Sequence, residues 1–354
     1  MDMEEIRALR HTLHGCPERS GQEARTRAVL TDFLARRTTL ELRPCGAGFY
    51  AAHREPEAEK PPLALRADYD ALALPGGGAA HLCGHDGHAA ALCAAALSVQ
   101  GERLGRDVFF LFQPAEETGT GAPGCLELFE REQVAQIYGA HNLPGLPLGR
   151  VVTRPGTFAC ASRGVTLSFL GRPTHAAYPE HGLSPAPAVG RLLCALPGLS
   201  DPARFGGMTL CTVIGTQMGE RAFGTAAARA EVWLTLRAER DEDLELLFAG
   251  LLRLAQSLAA EYGLAFDHQV QDVFPATVND PACAQRVLEL CGGSVLDAPM
   301  RWSEDFGHYL RRRPGAFFGI GAGEGCPPLH TQDYQYPDAL LEPTAAAFRA
   351  LLLG

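Results

Sequence analysis

The stretch Asp107–Glu117, DVFFLFQPAEE, decides how the chain is read. Val108–Phe112 is an unbroken apolar run, as expected of a strand buried on both faces. Pro114, which offers no N–H to a ladder, ends it. Two adjacent carboxylates, Glu116 and Glu117, follow. In α/β sheets ligands bind beyond the carboxyl ends of strands. Neighbouring side chains there point in different directions, so one carboxylate can hold a metal ion while the other reaches a metal-held water. A Glu-Glu pair by itself is more often two solvated side chains; its surroundings decide the matter.

Working outward, the pattern repeats. Leu63–Leu72, LALRADYDAL, is a buried strand ending in acids, and an Ala-rich helix, Ala90–Gln100, carries small residues suited to close packing on a sheet. Ile137–Ala140 is a short apolar strand that ends at His141. Upstream, Ile6, Leu9 and Leu13 share one helix face, and Val29, Leu30, Phe33 and Leu34 another. A strand at Gly48–Ala52 precedes the polar, Pro-rich connection Arg54–Pro62. After residue 274 come a helix at Pro281–Cys291, a strand at Ala316–Gly321 and a helix at Pro343–Leu353. Strands alternating with helices predict an α/β fold, a mixed sheet covered by helices on both faces.

The middle of the chain reads differently. Gly164–Gly171 is a strand, Ser184–Leu196 a helix, Met208–Gly215 and Ala230–Ala238 strands, Leu244–Gly263 a long helix and Ala265–Val273 a strand. The order β-α-β-β-α-β is the ferredoxin-like unit. The chain is therefore expected to form one catalytic domain, residues 1–160 and 275–354, interrupted by an inserted α+β lid domain at 161–274.

Composition removes several function classes. The net charge is −10 and the 31 Lys and Arg form no long basic run, so a nucleic-acid partner is not expected. No run of about 18 apolar residues occurs, so no membrane span is expected. The first residues, MDMEEIRALRHTLHG, lack the basic start and apolar block of a signal peptide. The 11 cysteines are odd in number and scattered, several in apolar runs (Cys93, Cys160, Cys194, Cys211). In a reducing compartment these behave as small hydrophobes, and a cytoplasmic location is expected.

The densest chemistry is His81–Ala90, HLCGHDGHAA: one thiol and three imidazoles ahead of a helix, with Gly84 and Gly87 expected to permit tight turns. Such ligands suit divalent transition metals. The competing reading is a helix start capped by Asp86. His141 in GAHNLP and His330 in PPLHTQ each follow an apolar run. Singly, each is more often structural; together with Glu116 and Glu117 they form a set large enough for two ions about 3.5–4 Å apart.

With HLCGHDGHAA and LFQPAEETGTGA in this order, and with RHTLHGCPERSGQE, LRADYDAL, GAHNLP, GRPTHAAYP, PATVND, WSEDFGHYL and PLHT, the chain resembles the aminoacylase, hippurate hydrolase and indole-acetyl-amino-acid hydrolase branch of the two-metal peptidases and amidohydrolases. The resemblance runs over nearly the whole chain. It implies two divalent ions, Zn or Mn, on Cys83, His85, Glu117, His141 and His330, and Glu116 as general base. It implies that His175, in the inserted domain, contacts the substrate carbonyl, typically in the partner subunit's site, and that the inserted domain mediates a homodimer. It departs at one place: relatives carry an Asn-Val-Ile-Pro stretch where this chain has Arg221–Arg229, RAFGTAAAR. That Asn helps bind substrate, so Arg221, Thr225 or Arg229 are the candidates to replace it.

Asp68, Asp70 and Asp86 are candidates to orient ligand histidines. Ser303-Glu304-Asp305 reads as a helix N-terminus, although the resemblance puts Glu304 near the site. His181, His268 and His308 read as surface residues, and Pro75–His81 as a flexible approach loop. The function expected is hydrolysis of the amide of an N-acyl amino acid or small peptide. The alternatives are a dipeptidase, a deacetylase of a biosynthetic intermediate, or a non-catalytic metal-binding protein; the adjacent Glu116 argues against the last, since a structural metal needs no base.

Overall fold

A computed structural model describes residues 2–354. The chain forms two compact units: Met1–Phe158 with Thr277–Pro299 and Glu304–Gly354, and Ala159–Ala276 with Met300–Ser303.

The first unit is built on an eight-stranded sheet flanked by helices. Its order is Glu41–Cys45, Gly48–His53, Val108–Gln113, Leu63–Asp68, Gln136–Leu143, Gly315–Gly321, Val151–Thr153, Ser294–Val295. The four strands beginning at Val108, Leu63, Gln136 and Gly315 run parallel; on one side Gly48–His53 and Glu41–Cys45 add antiparallel, and on the other Val151–Thr153 joins antiparallel and pairs in parallel with Ser294–Val295. Every residue of Val108–Gln113 and of Leu63–Asp68 is buried, the burial that unbroken apolar strands predict. Their shared direction collects Asp68, Gln113 and the residues that follow them at one edge.

The helix His85–Ser98 is buried throughout its first twelve positions, His85 to Ala96. With no polar face to turn to water, its alanines let it pack closely against the helices Met3–His14 and Leu341–Leu353. Met3–His14 buries the expected stripe Ile6, Leu9 and Leu13, and Asp2 caps it by accepting from the Glu4 N–H at 3.0 Å.

Three local expectations change. The strand at Ile137 does not end at His141 but runs on to Leu143, paired with Gly319–Gly321 opposite. Gly319 allows this, because a Cβ there would lie 2.1 Å from Leu143 Cδ1. Gly84 has φ +99°, as a tight turn requires, but Gly87 sits inside the helix; a Cβ on it would lie 2.4 Å from the Tyr336 ring, so close packing, not turning, explains this glycine. Pro75–His81 is not featureless: Leu72–Ala73 pairs antiparallel with Ala79–Ala80, and Gly76, Gly77 and Gly78 all take positive φ between them.

The second unit holds a four-stranded antiparallel sheet in the order Thr209–Met218, Arg229–Ala238, Ala161–Leu170, Ala265–Phe274. With the helices Ala186–Leu199 and Asp241–Glu261 this is the β-α-β-β-α-β arrangement. Alternation explains it: Val165, Leu167 and Phe169 on one strand and Val232, Leu234 and Leu236 on the next are buried with Leu192, Leu247 and Leu251. Cys194, expected within an apolar environment, is exposed, whereas Cys93 and Cys160 are buried and Cys211 is partly so. No helix among the described residues is long and apolar enough to cross a membrane.

Candidate metal centre

All six residues expected to hold metal or act as base lie in the first unit, and five are carried at the sheet edge where the parallel strands end. Cys83 precedes the buried helix that His85 begins, Glu116 and Glu117 follow Gln113, and His141 lies within its strand. His330 comes nine residues beyond Gly321 (330 − 321) and is held by two features. Its backbone is left-handed, φ +64°, and its N–H donates to Leu82 O at 2.8 Å. A strained residue of this kind persists where its surroundings fix it, and here the bond brings His330 to Cys83.

Cys83 Sγ lies 3.4 Å from His141 Nε2 and 3.4 Å from His330 Nε2. Glu117 Oε1 is 3.7 Å from His85 Nε2 and 3.8 Å from His330 Nε2. Two of the convergent donor groups share the thiol, Cys83 with His85 and His141 and Cys83 with Glu117 and His330, and His85 also converges with Glu116 and Glu117. Glu116 stands beside them, 3.9 Å from His85 Nε2.

The imidazoles are aimed. His85 Nδ1 faces Asp70 Oδ1 at 3.0 Å, and His141 Nδ1 donates to Asn142 O at 2.8 Å. Each ring therefore directs the lone pair of Nε2 inward, the arrangement found around metal-binding histidines. His85 Nε2 and Glu117 Oε1 are buried without a hydrogen-bond partner. Orphaned buried donors and acceptors are costly, and a divalent cation between them would remove the cost. The residues fit a pair of soft-to-borderline ions.

Electrostatics agree. Burial pushes the Cys83 thiol well up, with Glu117 adding to the shift. Burial also raises Glu117, to about 7, and raises Glu116 well above the usual carboxylate range with help from Glu304, Asp305 and Glu117. Burial opposes charge on His85, but Asp68 and Cys83 outweigh it. For His141 burial wins and is reinforced by His88, so this ring is held neutral. The pocket thus holds more acid than its own cations can neutralise.

Of the three acids expected to orient histidines, Asp70 does so. Asp68 bonds His88 Nδ1 at 2.7 Å, and its nearest approach to His85 Nε2 is 3.9 Å. His88 engages Asn142 Oδ1 through its other nitrogen, so this third imidazole of the motif is a bracket between strand ends. Asp86 turns away: it accepts from His14 Nδ1 at 2.8 Å and pairs with Arg10 at 3.3 Å, tying the helix to Met3–His14. Ser303-Glu304-Asp305 does not cap a helix. The four-residue helix Gly307–Leu310 begins after Phe306 without a side-chain cap, and Glu304 and Asp305 point inward to the guanidinium of Arg66. Arg66 is a residue that the sequence reading does not single out. Its signal was a single cation in an otherwise apolar strand, two residues before an acid and hence on the same face.

In the second unit His175 is exposed and lies opposite Thr225 in a two-residue ladder. Arg221 is exposed in the preceding turn, and Arg229 is paired with Glu231. His181 is exposed; His268 is half-buried and stacks on Phe266, and His308 is also half-buried.

A thiol, imidazoles and a carboxylate converging on shared points beside a second buried carboxylate define a metal-dependent hydrolase of amide bonds. The chain belongs to peptidase family M20/M25/M40, whose profile matches residues 64–354. It is 28% identical over 357 residues to the N-acetyl-L-cysteine deacetylase of Bacillus subtilis strain 168, covering 95% of this chain and 83% of that one. It is 31% identical over 287 residues to IAA-amino acid hydrolase ILR1-like 4 of Arabidopsis thaliana, covering 74% and 64%. Among solved structures it resembles the Bacillus subtilis YxeP protein, described as a dinuclear metal binding peptidase from the M20 family, with a TM-score of 0.81, 25% identity, and 99% and 97% of the two chains covered.

Proposed function

We propose that the protein hydrolyses N-acyl amino acids with two divalent ions held by Cys83, His85, Glu117, His141 and His330. The observation that carries this reading is the sharing of Cys83 between two donor groups with Glu116 at their side. Ions bound there would acidify a water molecule and polarise the scissile carbonyl. Glu116 accepts the proton of the attacking water and returns it to the leaving amine. Its burial among other acids makes it a stronger base than a solvated glutamate. His175 donates to the developing oxyanion, in the partner subunit's site of a homodimer formed through the inserted unit. Arg221 and Thr225 contact the substrate. Thr225 is supported by its pairing with His175, which places both on one ladder.

The substrate class is supported by the names of the relatives, one a deacetylase and one a hydrolase of amino acid conjugates. None of the 11 cysteines is joined in a disulfide, which suits a reducing, cytoplasmic setting. A panel of N-acetyl, N-benzoyl and indole-acetyl amino acids beside dipeptides, assayed with Zn²⁺ or Mn²⁺ and with chelator, tests the reading. Turnover of acyl amino acids that chelation abolishes is expected. Hydrolysis of dipeptides alone, or hydrolysis indifferent to chelator, overturns it.

A further inference from the structure

Beneath Glu116 lies a buried network that the reaction does not itself use. Arg66 is 1% exposed, in the strand Leu63–Asp68. Its guanidinium reaches Gln113 Oε1 through Nε at 2.8 Å, Asp68 Oδ2 and Glu304 Oε2 through Nη1 at 2.6 and 3.3 Å, and Asp305 Oδ1 through Nη2 at 2.8 Å. The Asp305 carboxylate accepts further bonds from Gln113 Nε2 at 2.8 Å and from Ala122 N at 2.8 Å. Tyr309 donates to Gln113 Oε1 at 2.8 Å and fixes the amide.

The output of this network is one main-chain group. Asp305 N donates to Glu116 Oε1 at 3.3 Å, the one hydrogen bond to the Glu116 side chain among the described residues. Glu116 thus owes its orientation to the place of residue 305, and residue 305 owes its place to Arg66. The cation has a second effect. Glu116, Glu304 and Asp305 gather within 4.8 Å of one another, and like charges so close repel unless a counter-charge stands among them. A lysine keeps that charge but not the planar fork that bonds three acids and an amide at once.

We propose that Arg66 is a positioning residue for Glu116, acting through the Asp305 main-chain N–H. The inference rests on the base role assigned to Glu116 above. A base displaced by about 1 Å costs on the order of 10²-fold in turnover, so Arg66→Lys should lower kcat roughly 10- to 100-fold. KM and metal stoichiometry should stay unchanged, because Arg66 is buried and its hydrogen-bond partners, Gln113, Asp68, Glu304 and Asp305, include none of the proposed metal ligands.

The test compares Arg66→Lys, Asp305→Asn and Glu116→Gln with the parent, loaded with Mn²⁺, on the acyl amino acid turned over fastest. Asp305→Asn retains the main-chain N–H and leaves Arg66 paired to two acids, so it serves if Arg66→Lys does not fold. Crystals of the metal-free variants give a readout independent of activity: the Glu116 carboxylate should leave its orientation and its contact with Asp305 N. Loss confined to kcat together with a displaced Glu116 supports the proposal. A parent-like kcat, or a Glu116 held in place, overturns it while Glu116→Gln is inactive. If Glu116→Gln is itself active, the base assignment is what fails.

Discussion

Asp70 Oδ1 stands 3.0 Å from His85 Nδ1. The same carboxylate accepts from Ser20 Oγ at 2.7 Å and from the Glu117 N–H at 3.1 Å. One buried acid therefore sets the tautomer of one proposed ligand and the backbone of another. Asp70→Asn should weaken metal binding about 10- to 100-fold with little change in fold, measured by competition with a chelating dye. Unchanged affinity would mean that His85 is oriented by packing alone.

The adjacent glutamates should separate by role. Glu116→Gln should cost about 10²–10⁴-fold in turnover and keep its metal, whereas Glu117→Gln should lose metal. Elemental analysis of both, beside their rates, checks this; equal metal loss in the two contradicts the division.

Acidity in the metal-free protein predicts a pH trend. Burial raises Glu117 to about 7, Glu304 to about 8 and Asp305 to about 6. Carboxyls raised above their unfolded values contribute stability that is complete at low pH and is lost as pH rises through the folded values. Metal-free protein should therefore melt several degrees lower at pH 8.5 than at pH 5.5, and divalent metal should reverse most of the loss. A melting temperature that climbs over this window without metal would contradict the acid excess.

Gly87→Ala places a methyl against Tyr336, which is itself buried. Overpacking of this kind costs about 1–3 kcal/mol, and because the strain falls two residues from His85 it should also loosen metal binding. Thermal melts with and without Zn²⁺ measure both effects. Wild-type stability would show that Tyr336 moves freely.

Much of this was legible in the sequence because the donor residues are local. Cys83 and His85 lie two apart at a helix start, Glu116 and Glu117 are adjacent beyond an apolar strand, and a parallel sheet brings strand ends together whatever the loops do. What was not legible was the direction of side chains whose partners are distant in the chain. Asp86 sits inside the motif yet faces His14, 72 residues away, and Asp305 faces Arg66 across 239. Glu304 and Asp305 looked like a helix start because acids are favoured there; the pull of a buried guanidinium was stronger. Gly87 looked like a turn because nothing local reveals the approach of Tyr336.

Cys83 is proposed to be shared by two metal ions. Anomalous diffraction from Zn²⁺-loaded crystals tests it most directly. Two peaks about 3.5–4 Å apart are expected, both within bonding distance of Cys83 Sγ, one also bonded to His85 and His141 and the other to Glu117 and His330. A single fully occupied peak with four protein ligands, or two peaks of which only one touches Cys83, would contradict it.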